Sequence, residues 1–293
     1  MRPTRLKFDR RPRKLCIPAG ILFLLPGFIG FMLFYIWPFM ISVGYAFLDR
    51  PVGGRFVGFA NFAGLLTNRA YLLGLRNTLR FIGISVPINL ALSLGVAMLI
   101  NKLNRYREFI CLCFLIPLVV PSGSMVSFWR SAFALDGAVN GALHTIGIDR
   151  INWFNSEWAM FVMVLIFIWK NLGYNMILYL AGLSGIPREY HEAAKADGAC
   201  SWKIFWRITF PHLTSTTVLT LIMSIVNSFR VFREIFLITG SYPHESIYTL
   251  QHFMNNMFAS LNYPRLTAAT TILVVAIAIF TQALLRFERR ISL

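Results

Sequence analysis

Polar side chains that could bind a solute lie inside two long apolar stretches of the sequence. They are Lys170, Tyr174 and Asn175 in one stretch, and Asn227 and Arg230 in the other. A charged group at the centre of a bilayer costs about 2.5–3.5 kcal/mol on insertion scales, so each such residue needs a role. Amide and cationic groups can hydrogen-bond hydroxyl groups, and a tyrosine ring can face the C–H side of a hydroxylated solute. We therefore predict a polar path formed by Tyr174, Asn175, Asn227 and Arg230.

A structural role is the alternative for the same side chains. Intramembrane Asn commonly hydrogen-bonds a neighbouring helix. For Asn175 this structural role is as well supported as a place in the polar path. For Lys170 the structural role is the favoured interpretation. Arg230 stands four residues before Glu234, a spacing that predicts an ion pair along one helix face.

Chemistry that makes or breaks covalent bonds is not indicated. The sequence contains no GxxxxGK[ST] phosphate loop, no HExxH zinc motif, and no paired carboxylates or Ser/His set within the apolar stretches. The four cysteines, Cys16, Cys111, Cys113 and Cys200, are interpreted as reduced thiols. We therefore expect no catalytic residue, no metal site and no cofactor bound by this chain.

The composition is typical of a polytopic membrane protein. The chain has 293 residues, of which 57% are hydrophobic and 14% are charged, against about 25% charged in soluble domains. We predict an all-α membrane protein with six transmembrane helices at 17–48, 78–101, 109–132, 158–184, 213–239 and 267–286. The net charge of +16 comes from residues that flank these spans rather than from one stripe, so nucleic-acid binding is not expected.

The basic residues predict the orientation. Most of those outside the spans lie before residue 17, at 102–107, at 185–212 and after residue 285. The positive-inside rule then places both termini and the 185–212 loop in the cytoplasm, and an even number of spans agrees. We predict a basic cytoplasmic tail at 1–16 and one transmembrane domain at 17–293.

The loop at 186–211 has the signals of a helix-turn-helix. Pro187 suits the first turn of a helix, Gly198 can end that helix, and Ser201 can cap a second one that starts at Trp202. The second helix would present its aromatic residues on one face and its basic residues on another, next to lipid phosphates.

The spacing within this loop resembles the EAA loop of ABC importer permeases. In that family, Glu-Ala-Ala, three residues, Gly, nine residues, Ile, one residue and Leu-Pro recur. The matching positions here are Glu192, Ala193, Ala194, Asp197, Gly198, Ile208 and Pro211, with Phe210 in place of the Leu. The resemblance to the carbohydrate-uptake permeases, the maltose-type proteins among them, extends to FVGFANF at 56–62 and AGLSGIPREYHEAAKADGA at 181–199. It departs where Ser241 and Tyr242 follow Gly240, a position at which the family often has Gly-Pro.

The resemblance implies a function and a set of partners. It implies the inner-membrane permease subunit of a binding-protein-dependent importer of a sugar or oligosaccharide, multi-pass in the cell membrane. It implies a second permease subunit, two cytoplasmic ATPase subunits that bind ATP and magnesium and dock on the EAA loop, and an external solute-binding protein. Two alternatives are a stand-alone secondary transporter, against which the absence of internal repeats argues, and an integral-membrane enzyme that modifies lipid.

Overall fold

The computed structural model describes residues 19–103 and 105–291, and almost all of its ordered structure is helical. The predicted tail at 1–16 lies outside the described residues. Within them the only β-type pairing is an isolated bridge between Leu48 and Phe56. The α-helices are α1 (Ala19–Phe31), α2 (Trp37–Tyr45), α3 (Ala60–Leu66), α4 (Arg69–Ile100), α5 (Arg107–Val119), α6 (Ser122–Ala132), α7 (Ala138–Thr145), α8 (Ala159–Ser184), α9 (Arg188–Ala196), α10 (Ser201–Ile204), α11 (Phe210–His212), α12 (Thr214–Arg230), α13 (Phe232–Thr239), α14 (Leu250–Ala259) and α15 (Tyr263–Ile291).

Four of these helical segments are long and apolar enough to cross a membrane. They are Leu22–Tyr45, Arg69–Ile100, Ala159–Ser184 and Tyr263–Arg290, and the number rises to five if the bent pair α5 and α6 forms one span. The all-α membrane class is therefore confirmed. The first span joins α1 to α2 through a π-helical turn, Met32–Ile36. The second begins nine residues earlier than predicted, because the Asn68 side chain accepts a hydrogen bond from the Tyr71 amide and caps α4 there.

The third predicted span, 109–132, is not one straight helix. Its two halves, α5 and α6, meet at an angle of 92°. Val120 between them is extended, with φ −61° and ψ 126°. A residue that precedes a proline is pushed out of the helical region, and Pro121 follows here, so the helix breaks at this point.

The fifth predicted span, 213–239, is also divided. α12 has 17 residues and α13 has 8, and they meet at Val231. The Glu234 amide donates to the Val231 carbonyl three residues back, at 3.1 Å. This tighter turn interrupts the regular helix, and α13 beyond it packs against α6.

The largest core unites α4, α6, α8 and α13. Phe81 of α4 meets Phe167 of α8 edge to face, with 5.5 Å between the ring centres. Trp129 of α6 and Ile235 of α13 are buried in the same cluster. This core holds the middle of α8 against the break between α12 and α13, where the polar residues of the two stretches lie.

Glycines permit the closest helix crossings. A Cβ atom on Gly173 of α8 would lie 1.9 Å from the carbonyl oxygen of Phe114 in α5, and one on Gly182 would lie 2.5 Å from the Thr216 hydroxyl of α12. Small residues let helix backbones approach in this way within a bilayer. α5, α8 and α12 therefore form a tight group.

α1 and α2 are packed differently. The most apolar stretch of Leu22–Tyr45 has no residue buried against the rest of the chain, and Phe23 and Phe34 are largely exposed. In a bilayer this surface is covered by lipid or by another chain.

Candidate functional site

The loop at residues 186–211, for which ATPase docking is predicted and which we call the docking loop, forms a helix, a sharp turn and a second helical segment. Its first helix, α9, follows Pro187 and ends where Gly198 has φ +75°, a left-handed conformation that favours glycine. The Gly198 amide donates to the Lys195 carbonyl at 3.0 Å, and the Ala199 amide to the Ala194 carbonyl at 2.9 Å. These two bonds satisfy carbonyls that the end of the helix would leave unpaired.

The second segment differs in detail from the prediction. The helix starts at Ser201 rather than Trp202, with Cys200 before it and no side chain that caps it. A π-helical turn, Phe205–Thr209, then leads into α11. Trp202 and Trp206 meet edge to face at 5.7 Å and both are exposed.

Side chains tie the two halves of the docking loop together. The His191 ring nitrogen Nε2 lies 3.2 Å from the Thr209 hydroxyl. The rings of Tyr190 and His212 stand 5.4 Å apart at a tilt. These contacts link α9 to the second segment, so the loop is a folded unit and not a free connection. Sequence reasoning missed them, because neither histidine belongs to the EAA spacing.

The predicted docking residues are accessible on this unit. Glu192, Ala193, Asp197, Gly198 and Pro211 are exposed, and the other two, Ala194 and Ile208, are half-buried. The loop thus presents an acidic and small-residue surface from α9 and an aromatic surface from its second half. Contact with an ATPase remains a prediction at these seven positions.

A cavity of about 200 Å³ lies at the junction of α5, α8, α12 and α13, and we call it the central cavity. Five of its seven lining residues are polar or charged, and the full lining is Leu118, Lys170, Asn171, Asn227, Arg230, Val231 and Glu234. The structure therefore brings together two of the four predicted path residues, Asn227 and Arg230. Tyr174 is half-buried and does not line the cavity.

An ion pair crosses the central cavity. The Lys170 ammonium donates to Glu234 Oε1, and the Ser122 hydroxyl donates to the same oxygen at 3.0 Å. The Glu234 side chain is 2% exposed and that of Lys170 is 21% exposed. The expected pair between Arg230 and Glu234 does not form; the Glu234 carboxylate binds Lys170 of α8 and Ser122 of α6 instead.

Asn175 lies in the contact between helices. It is fully buried, and its amide donates to the hydroxyl of Ser224 on α12 at 2.7 Å. Ser224 is fully buried as well. The geometry therefore favours the structural role for Asn175.

A second cavity, of about 270 Å³, opens near the C-terminal ends of α6 and α13, and we call it the outer cavity. Arg130, Asn155, Thr239 and His244 contribute polar groups to its lining. Within the described part of the chain, no cluster of three or more His, Cys, Asp or Glu residues could hold a metal ion.

Comparison with known proteins identifies the family. Residues 89–293 match the family of the binding-protein-dependent transport system inner membrane component. The chain belongs to this family: it is a multi-pass membrane protein and a permease subunit of a binding-protein-dependent ABC importer. The sequence prediction of that class is confirmed.

Individual proteins resemble the chain over most of its length. The lactose transport system permease protein LacF of Rhizobium radiobacter is 30% identical over 282 residues, which cover 92% of this chain and 95% of that protein. The arabinooligosaccharides transport system permease protein AraP of Bacillus subtilis (strain 168) is 33% identical over 222 residues, covering 74% and 70%. A chain from the crystal structure of a bacterial ABC transporter involved in the import of the acidic polysaccharide alginate has the same fold, with a TM-score of 0.81, 24% identity, and coverage of 94% and 96%.

Proposed function

We propose that the chain is a six-span permease in the cell membrane, with both termini and the docking loop in the cytoplasm. Two divided elements complete the six spans: the bent pair α5 and α6, and the pair α12 and α13. The distribution of basic residues supports this orientation. The docking loop, which joins the end of α8 to the start of α12, then lies on the cytoplasmic side.

We propose that two cytoplasmic ATPase subunits, which bind ATP and magnesium, act on this permease and on a second permease subunit. A solute-binding protein delivers the solute from outside. The observation that carries this proposal is the docking loop itself, a folded unit whose Glu192, Asp197 and Gly198 are exposed. Closure of the ATPases would move the loop, and α8 and α12 would transmit that movement to the central cavity.

A sugar or oligosaccharide is the proposed solute. LacF and AraP are named for lactose and for arabinooligosaccharides. The lining of the central cavity supports the same class, because amide, ammonium and carboxylate groups all exchange hydrogen bonds with hydroxyl groups.

The test compares two glycines that have the same backbone conformation. Gly198 has φ +75° and Gly147 has φ +80°, and a Cβ atom at either would meet nothing within 4 Å. A valine strains both positions equally, but only Gly198 lies in the docking loop. Gly198→Val should lower the ATPase retained on the affinity-purified permease and the solute-stimulated hydrolysis of ATP. Gly147→Val should change neither.

Full ATPase retention in Gly198→Val would reject the docking role. A stand-alone transporter or a lipid-modifying enzyme would carry no ATPase even in the parent protein. The orientation is tested separately with impermeant thiol reagents. Cys200 should react only after the membrane is opened, and its labelling in intact cells would reject the cytoplasmic position of the loop.

A further inference from the structure

We propose that the central cavity binds a solute that carries an oxyanion as well as hydroxyl groups, such as an acidic saccharide. Arg230 is the partner of the anion, and Glu234 accepts a hydrogen bond from a hydroxyl group. This inference rests on the proposed import function and narrows its solute class.

The first argument is the charge of the cavity lining. Lys170 is neutralised by Glu234, the one acidic residue of the lining. Arg230 lines the same cavity and is exposed. Within the described ranges the ion pairs are Lys170–Glu234 and Arg150–Asp136, so none of the described carboxylates pairs with Arg230. The lining therefore carries one surplus positive charge.

The depth of Arg230 makes that surplus significant. Arg230 lies sixteen residues after the first residue of α12 and nine residues before the last residue of α13, which is about 24 Å and about 14 Å along the helices. A guanidinium group that far into a transmembrane segment is normally paired or faces a water-filled path. Its planar fork suits a carboxylate, phosphate or sulfonate group.

The second argument is an unsatisfied group. Glu234 is 1% exposed, and its Oε2 is buried without a hydrogen-bond partner. Its other oxygen, Oε1, accepts hydrogen bonds from the Lys170 ammonium and the Ser122 hydroxyl. A buried carboxylate oxygen is normally hydrogen-bonded. Glu234 and Asn227 both line the central cavity, so we assign Oε2 as the acceptor for a solute hydroxyl and the Asn227 amide as a second hydrogen-bonding group.

The third argument is that the positive lining continues outward. The outer cavity includes one arginine, Arg130, and no acidic residue. Both cavities use α13: Glu234 lines the first and Ile238 the second, a separation of about 6 Å along the helix. Two neighbouring cavities that each carry one surplus arginine attract anions and repel cations.

The experiment measures the charge of the central cavity with a thiol reporter. Leu118→Cys is introduced into the complete importer complex after the native cysteines have been replaced by serine or alanine, since Leu118 lines the cavity without a polar role. Its labelling rate is measured with two methanethiosulfonate reagents of similar size, one anionic and one cationic. The rate with the anionic reagent divided by the rate with the cationic reagent should be higher at this position than for a small thiol free in solution.

Arg230 variants then identify the source of the potential. Arg230→Gln should lower the rate ratio by about tenfold, since the anion loses an attraction and the cation a repulsion. Arg230→Lys should keep the ratio. Arg233→Gln is the matched control, because Arg233 is an exposed arginine next to the cavity that does not line it, and it should change the ratio by less than about threefold through screening. Equal effects of Arg230→Gln and Arg233→Gln would overturn the proposal.

Solutes provide the second arm. At equal ionic strength, sodium glucuronate should slow labelling at a concentration at least about fivefold lower than glucose does, and Arg230→Gln should abolish this difference. Equal protection by both solutes would overturn the proposal. Protection that requires phosphatidylglycerol in the nanodisc would also overturn it, because the anion would then be lipid. The labelling requires no ATP, so it remains informative even if the Gly198→Val comparison rejects docking.

Discussion

Replacing Lys170 by methionine should destabilise the permease more than any other single loss of charge within its helices. Methionine keeps most of the length of the side chain but removes the ammonium group. Glu234 then remains buried with only the Ser122 hydroxyl as a donor. Breaking a buried ion pair by removing one partner costs about 3–5 kcal/mol. The Lys170 side chain is 21% exposed, so we expect the cost of breaking the pair to lie near the lower limit of this range.

The measurement is the thermal unfolding of the detergent-purified complex, followed by size-exclusion chromatography. A loss of about 3 kcal/mol corresponds to a fall in Tm of roughly 6–12 °C, at about 2–4 °C per kcal/mol for a chain of this size. Arg233→Met is the control, since Arg233 is an exposed cation on α13. It should change Tm by less than about 2 °C, because exposed charges contribute little.

The double variant Lys170→Met with Glu234→Gln separates the pair from the lysine itself. It removes the uncompensated carboxylate, so it should recover at least half of the lost Tm. Two results would refute the reasoning: a Lys170→Met protein as stable as Arg233→Met, or a double variant no more stable than Lys170→Met alone.

Three further comparisons test the packing and the pH response. Gly173→Ala places a Cβ atom 1.9 Å from a carbonyl oxygen of α5, so its Tm should fall, whereas Gly95→Ala, also within a helix but with nothing within 4 Å, should not lower Tm. Asn175→Leu removes a buried hydrogen bond and should lower stability by about 1–3 kcal/mol, while Asn227→Leu in the central cavity should lower uptake and leave Tm unchanged. Burial lowers the pKa of His252 from 6.5 to about 4. The folded state therefore binds a proton at this residue less readily than the unfolded state does. The free energy of unfolding should fall as the pH falls from 6.5 toward 4. His252→Gln should flatten the dependence of Tm on pH in this window.

Local signals in the sequence predicted most of the helices. The ends of α8 lie within one residue of the predicted 158–184, because both are marked by turns within a few residues. Gly198 was predicted to end α9, and it does so with a positive φ. Such features depend on the few residues around them, so spacing and residue type were sufficient.

Contacts between distant residues could not be predicted in the same way. The spacing predicts that Glu234 pairs with Arg230, four positions away, but its partner is Lys170, 64 positions away. The partners of Glu234 come from α6 and α8, so its pairing is decided by how distant elements pack and not by spacing along its own helix. The 92° bend between α5 and α6 has a visible cause in Pro121, yet the prolines within α1 and α4 bend neither helix out of its span. Proline permits a break, and packing decides whether it occurs.

The order of elements along the chain explains how the docking loop and the central cavity can influence each other. The loop begins two residues after α8 ends and is followed by α12. α8 carries Lys170 and α12 carries Arg230, so both helices that enter the loop also line the central cavity. They are joined near the loop by the close approach of Gly182 to Thr216, and farther along by the hydrogen bond from Asn175 to Ser224. We therefore expect a force on the loop to move α8 and α12 as a pair. We expect such a movement to act on the contact between α8 and α13, because α13 lies beyond the interruption at Val231. That contact is the Lys170–Glu234 ion pair, which thus lies where movement of the loop would alter the shape and the charge of the cavity.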